Sequence, residues 1–446
     1  MPDSAPAKDA RGPLAGLRII DAGQMIAAPL ACTMLADFGA DVLKIEHPEQ
    51  GDAMRARPPE KDGKSLWWKV IGRNKRFVAL NLSKPEGRAL LLRLAATADV
   101  VVENYRPGTF ERWGLGYAEL ARVNPRIVLV RVSGYGQTGP YAQRGGYGTV
   151  AEAFTGLPSF TGFPDGPPTL SSSFAQADSI AASFAAMGAM FALHERQTSG
   201  RGQEVDVSLY EPLFRLIEFQ AIAYDQLGFV RQRIGNRSTT DSPRNAYRTS
   251  DGRYITISAS TQKSYDRLVE AMGMGELARD PRFTDGLLRQ RNADDLDAIM
   301  AGWFLRHAYD DALAILERGE VVAGPILTIA DIFRDPHYAV RQTIVPVPDK
   351  DFGSVRMQNA VPKLSRTPGA VRHAGGALGE HNEEVWLGEM GLPRAEYDSG
   401  AGTMVWPRGW RRRIRCARCC SAPTNVPANR RPARQNRAAT ARHGTR

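Results

Sequence analysis

Apolar residues in this chain come in short blocks whose spacing changes in a regular order. Leu17-Arg18-Ile19-Ile20-Asp21 has the length and content of a short buried strand. Ala27 to Phe38 carries helical spacing. Pro29 stands in its first turn, where a missing N–H is tolerated, and Gly39 suits the C-terminal cap. Ala40–Glu46 predicts the next strand. The alternation continues with strand Phe77–Leu80, helix Pro85–Ala96, strand Val100–Glu103, a helix-like stretch and strand Ile127–Val132. Strand and helix in alternation predict a parallel sheet joined by crossover helices, the α/β class. A long apolar helix is predicted from Ala181 to Leu193.

Near residue 225 the pattern changes. Gly235-Asn236-Arg237 and Ser242-Pro243-Arg244 are loop signals, and Asp251-Gly252 predicts a hairpin turn joining Asn245–Arg248 to Tyr254–Ser258. Helices are predicted near Gln262–Met272, Leu288–His307 and Tyr309–Arg318. Residues 225–330 therefore read as a smaller α+β domain. Residues 331–400 follow as Pro-rich extended stretches with a short helix near Asn382–Met390.

Length and composition narrow the class. The chain has 446 residues, 43% of them hydrophobic, enough for two or three globular domains. No apolar run reads as long enough to cross a bilayer, and the polar Met1–Gly12 lacks the apolar stretch of a signal peptide. A cytoplasmic location is the expectation. The net charge of +10 belongs to the end of the chain, where residues 407–446 hold twelve Arg and no Lys, Asp or Glu. Without them 46 basic residues face 48 acidic ones. Cys416, Cys419 and Cys420 also lie there, leaving Cys32 alone in the body, without an internal disulfide option and in keeping with a reducing compartment. The Arg-rich end suits a nucleic-acid arm by charge and a metal site by residue type, but its cysteine spacing is poor for four ligands. Its abrupt shift in composition favours an unstructured extension over 401–446, matching an unstructured 1–12. Neither a metal nor nucleic acid is expected as a partner.

Candidate chemistry centres on Asp178, in Ser171-Ser172-Ser173-Phe174-Ala175-Gln176-Ala177-Asp178-Ser179-Ile180. A carboxylate at the edge of an apolar wall is poorly solvated and hence reactive. Asp is equally a favoured helix N-cap, and the residues alone leave both roles open. Gly134-Tyr135-Gly136-Gln137-Thr138-Gly139 fits a dinucleotide-binding pattern, but Pro140 follows where a helix should open. It predicts a turn whose backbone can approach a ligand. Asn74-Lys75-Arg76 precedes a strand, while Glu103-Asn104-Tyr105-Arg106-Pro107-Gly108 and His47 follow strands. Basic residues there suit a phosphate-rich ligand or are solvated charges. His381 reads as a helix-start residue.

These segments, taken in order, resemble the class III coenzyme A transferases, the family of formyl-CoA transferase and the carnitine and bile-acid CoA transferases. The resemblance runs from about Pro13 to Leu392. It is carried by Pro13–Asp21, Asp37-Phe38-Gly39-Ala40-Asp41-Val42-Leu43-Lys44-Ile45-Glu46, Asn74–Arg76, Val102–Gly108, Ser133–Tyr141, Thr198–Ser208, Asp335-Pro336 and Gly379-Glu380-His381. It implies a Rossmann-like large domain built from both chain ends (13–224 completed by 331–400), a small central domain, and an interlocked homodimer. It implies that Asp178 is the catalytic aspartate and that His47, Lys75, Asn104 and Arg112 contact CoA. His47 stands where relatives often carry Arg, and no Gln matches the active-site position near Met25 and Ile26, though Gln24 is adjacent.

The racemases of the family use a His that is absent from Gly146-Tyr147-Gly148. The expected reaction is CoA transfer from an acyl-CoA to a free carboxylic acid, with CoA as substrate and no permanently bound cofactor. An isomerase or lyase on the same scaffold is the alternative. Backbone N–H groups near Gly134, Gly136, Gly145 and Gly146 are candidate oxyanion donors. Arg144, Arg73 and Ser171–Ser173 are candidates to hold a second carboxylate, which points to a dicarboxylate acceptor.

Overall fold

The computed structural model describes residues 12–170 and 174–402. The expected unstructured ends lie outside the described residues except at Gly12, Ala401 and Gly402, as does the Ser171–Ser173 run. The helix Arg394–Gly402 carries ordered structure past the expected boundary at 401.

Six strands form one parallel sheet: β1 (Arg18–Asp21), β2 (Asp41–Glu46), β3 (Lys75–Ala79), β4 (Val100–Glu103), β5 (Val128–Ser133) and β6 (Glu204–Ser208). Their spatial order is β3-β2-β1-β4-β5-β6. This is the doubly wound order of dinucleotide-binding folds, with its switch point between β1 and β4. Successive residues point to opposite faces, so both faces are apolar. Ile19, Val42, Val100, Val102 and Val130 meet α1 (Ala27–Asp37) and a long helix on one side. Ile20, Leu43, Val78, Val101 and Leu129 meet α2 (Pro85–Ala95) on the other. Val385, Trp386 and Leu392, far along the chain, join that second cluster.

The edge of the sheet at β3 is closed by the same distant segment. Phe77 N donates to His381 Nδ1 at 3.0 Å and Ala79 N to Asn382 Oδ1 at 2.8 Å. His381 stands at the start of a helical turn, its carbonyl accepting from Val385 N at 3.0 Å, and its ring covers a strand edge that would otherwise be open to pairing. The helix expected near Asn382–Met390 is a π-helical turn, Glu384–Glu389.

Among the elements that escape the sequence reading are β6 and a later hairpin. β6 has the alternation Glu204-Val205-Asp206-Val207, a half-exposed edge strand too polar to stand out. The later hairpin, Ile344–Asp349 with Gly353–Gln358, is hidden by Pro346 and Pro348. The apolar helix is longer than predicted. With α3 assigned to Gly148–Phe154, α4 runs Gln176–Ser199 and buries Ala181, Ala182, Ala185, Ala189 and Ala192. Among the described residues, α4 alone has the length and mean hydropathy (1.2) to cross a membrane, which corrects the expectation that no run would qualify. Here it lies across the sheet against α1, β5 and β6.

A second apolar core gathers Tyr247, Ile255, Ile257, Leu268, Met300, Trp303, Phe304 and Leu316 around β7 (Arg244–Arg248), β8 (Tyr254–Ser258) and β9 (Ala323–Pro325). The hairpin at Asp251-Gly252 forms as predicted. The helix expected over Leu288–His307 is two, Gly286–Arg291 and Ala293–Phe304. Asp285 caps the first by accepting from Leu288 N. β10 (Ile344–Asp349) and β11 (Gly353–Gln358) pair antiparallel and pack near Ala374.

Candidate active site

Asp178 stands in the first turn of α4 but does not cap it. Ala175 holds the N-cap position without a side-chain hydrogen bond, which removes the capping role. The Asp178 side chain turns instead toward α3, which packs against α4. A Cβ built on Gly148 would lie 2.1 Å from Asp178 Oδ2 and 3.1 Å from its Cγ. The carboxylate therefore fills the space that any larger residue at 148 would occupy. One turn further along α3 stands Glu152, only 3% exposed.

Burial, followed by repulsion from Glu152, pushes the Asp178 carboxyl up to about 6, against a hydrogen bond from its own N–H. At neutral pH it is still mostly ionised, yet more basic than an ordinary aspartate. Both properties suit a nucleophile. Tyr147, where the racemases carry their His, is exposed.

The loop from β5 to α3 runs past this carboxylate. Gly134 and Gly146 cross backbone to backbone, and a Cβ on either would come within 2.9 Å of the other's Cα. That close approach is what these two glycines serve. Gly136 occupies a turn closed by Asp206, whose Oδ2 accepts from Gln137 N at 2.8 Å. Arg144 lies exposed with its guanidinium 3.7 Å over the Tyr141 ring. A Gly145 Cβ would meet Arg106 Nη2 at 3.3 Å. Neither arginine has a carboxylate partner among the described residues.

At the switch point, the loops after β1 and β4 are tied together. Gln24 N donates to Asn104 Oδ1 at 2.7 Å, and Asn104 Nδ2 donates to Gln24 O at 2.8 Å. Asn104 thus holds the ligand-side loop in place. Arg112, exposed, donates to Thr109 Oγ1 at 2.8 Å. His47, at the end of β2, meets Asn81 Nδ2 at 3.2 Å. These three lie where doubly wound sheets bind nucleotides.

Lys75 does not join them. It is 0% exposed, and its Nζ donates to Asp21 Oδ2 at 2.8 Å and to Pro29 O at 2.6 Å. Beside it Lys44, also buried, pairs with Asp52 at 3.1 Å and donates to Gly23 O. Burial opposes the Lys44 charge, but Asp21, Asp52 and Glu46 outweigh it and hold its ammonium above the usual lysine range. The network braces the underside of the β1 loop. Arg73 is likewise spent, donating to Asp37 Oδ2 at 2.6 Å from a buried position, so it is no candidate for a substrate carboxylate.

Sequence reasoning passed over Gly148 and Glu152. The available signal was a lone acid inside the apolar stretch Val150-Ala151-Glu152-Ala153-Phe154, one helical turn after a glycine. Elsewhere, a cavity of about 650 Å³ lies beside the β10–β11 hairpin, lined by Arg55, Trp68, Lys69, His373 and His381. Asp178 is not in it. Its cations are paired internally, Lys69 with Asp349 at 2.7 Å and Arg55 with Glu46 at 2.7 Å.

Known CoA-transferases are similar to this chain over most of its length. The chain is 44% identical over 381 residues to the succinyl-CoA–D-citramalate CoA-transferase of Chloroflexus aurantiacus, covering 85% of this chain and 94% of that one. It is 33% identical over 380 residues to the succinate–glutarate CoA-transferase of Agrobacterium fabrum, covering 84% and 94%. The crystal structure of a CAIB/BAIF family protein from Brucella suis superposes with a TM-score of 0.76 at 31% identity, covering 84% of this chain and 99% of that one. The family model for CoA-transferase family III matches residues 14–382, and the chain belongs to that family.

Proposed function

We infer that this enzyme moves CoA from a dicarboxylic acyl-CoA of the succinyl-CoA class to a second dicarboxylic acid, through intermediates covalently held on Asp178. The observation that carries the reading is the basic, half-buried Asp178 carboxylate seated against Gly148. Its oxygen attacks the donor thioester carbon, the C–S bond breaks, and a mixed anhydride forms as CoA thiolate leaves. The thiolate then attacks the Asp178 carbonyl, releasing the donor acid and leaving an enzyme thioester. The acceptor carboxylate repeats the two steps in reverse order, so CoA departs on the new acid and Asp178 is restored. No proton is gained or lost overall. The energy of the thioester is kept only if water is excluded, which the apolar face of α4 favours.

Asn104, Arg112 and His47 around the switch point are the proposed CoA contacts. Arg144 and Arg106, cationic and without a carboxylate partner among the described residues, are the proposed seat of a distal carboxylate. A dicarboxylic donor and acceptor are further supported by the relatives named for succinate, citramalate and glutarate. The separate core around β7–β9 supports treating 225–330 as a small domain.

An interlocked homodimer is supported by apolar surface that the single chain leaves open. The helix Gln220–Leu227 has no buried residue, and Phe191 on α4 is 64% exposed. The test is CoA exchange from succinyl-CoA into a panel of acids. Dicarboxylic acceptors should react faster than monocarboxylic ones of equal length, and folded Asp178→Ala should transfer nothing. Transfer at wild-type rate by that variant would end this reading.

A further inference from the structure

We propose that Glu152 is a positioning residue for the transfer: a second buried carboxylate, set one turn from Gly148, that disfavours the free Asp178 carboxylate against its acylated forms. The inference rests on Asp178 being the nucleophile. Gly148 and Glu152 are four residues apart on α3 and so share a helical face. That face is turned to the nucleophile, because the Gly148 Cα abuts the Asp178 carboxylate. Burying a carboxylate is costly, and a glutamine of the same shape would pack there without a charge.

α4 also packs against α1, β5, β6 and the helix Glu211–Arg215. Their charged side chains are Asp37, Arg131, Glu204, Asp206, Glu211 and Arg215. Glu152, on α3, is the neighbouring charge that raises the proton affinity of Asp178. Arg131 is engaged by Glu103 at 2.8 Å and Glu111 at 2.6 Å.

Loading the enzyme converts Asp178–COO⁻ and acyl–S–CoA into Asp178–CO–S–CoA and a free carboxylate. The negative charge leaves Asp178 with the released acid. Repulsion from Glu152 is present before this step and relieved after it, so Glu152 favours loading. Protonation of Asp178 relieves the same repulsion. The two effects are linked: one unit of proton affinity corresponds to about tenfold in the loading equilibrium.

The experiment mixes full-length enzyme with succinyl-CoA and succinate at fixed ratios and reads the enzyme–CoA thioester by intact mass. Loading rate is followed against pH in parallel. Glu152→Gln should lower the loading constant by about tenfold and move the acid limb down by about one pH unit. Glu152→Asp should recover part of both. A folded Glu152→Gln protein with unchanged loading constant and acid limb, whatever its turnover, overturns the inference. If that variant does not fold, Glu152→Ser removes the charge as well and gives the same comparison. A wild-type enzyme that forms no adduct at Asp178 overturns the nucleophile reading instead, and the inference falls with it.

Discussion

At the scale of single residues, the site is built from one missing side chain and two carboxylates. Gly148→Ala puts a methyl group 2.1 Å from the present position of Asp178 Oδ2, so the carboxylate must turn away. Alanine is also a better helix former than glycine. The expected outcome is a protein at least as stable as wild type with CoA transfer reduced by about 100-fold, since misplacements near 1 Å cost that much. Thermal unfolding and steady-state exchange measured together check it. The raised proton affinity of Asp178 has a sign that can be tested too. Its folded-state value of about 6 lies above the ordinary 3.8, so ionising it costs stability, a cost absent below about pH 4 and complete above about pH 6. Asp178→Asn should therefore unfold at higher urea than wild type at pH 8, by on the order of 2 kcal/mol, with the gain gone at pH 3.5. Asp178 drew attention as an acid in an apolar run, but the residues alone left capping open and only the family resemblance pointed to chemistry. Gly148 and Glu152 were not legible, because their meaning depends on α3 and α4 meeting in space.

At the scale of elements, the parallel strands β1–β5 and the helices between them could be read from alternating apolar blocks, since burial on both faces leaves few polar residues to blur the pattern. β6 was missed because an edge strand is half solvated. The return of the chain's end to the large domain was expected only from the family resemblance, and its seat on the β3 edge was not read, because a pairing about three hundred residues apart leaves no local trace. Lys75 shows the same limit. Its place beside a strand and the family resemblance both suggested a phosphate contact, but its side chain ends in a buried pair with Asp21. Lys75→Met leaves that carboxylate short of a partner and should lower unfolding free energy by about 3–5 kcal/mol, with CoA affinity of the folded fraction unchanged. Urea titration and CoA binding separate the two roles. A variant of full stability that no longer binds CoA would place Lys75 on the ligand after all.

At the scale of the whole molecule, the apolar surface left open along α4 and the helix Gln220–Leu227 is where the proposed homodimer can be tested. Leu227 is 80% exposed, and Ile222, Tyr224 and Phe229 are exposed with it. Light scattering should give twice the chain mass of 48.9 kDa. The double variant Ile222→Asp with Leu227→Asp should shift the protein toward the monomer and lower its activity together. A fully active monomer would show that one chain holds the entire site. The central claim is that this enzyme works through a covalent bond to Asp178. It is tested most directly by incubating the wild-type protein with succinyl-CoA, trapping with hydroxylamine, and mapping the modified peptide by mass spectrometry. The account predicts a hydroxamate on Asp178 that is absent when succinyl-CoA is omitted. A protein that transfers CoA at full rate, yet carries no adduct there or carries it on another residue, would contradict it.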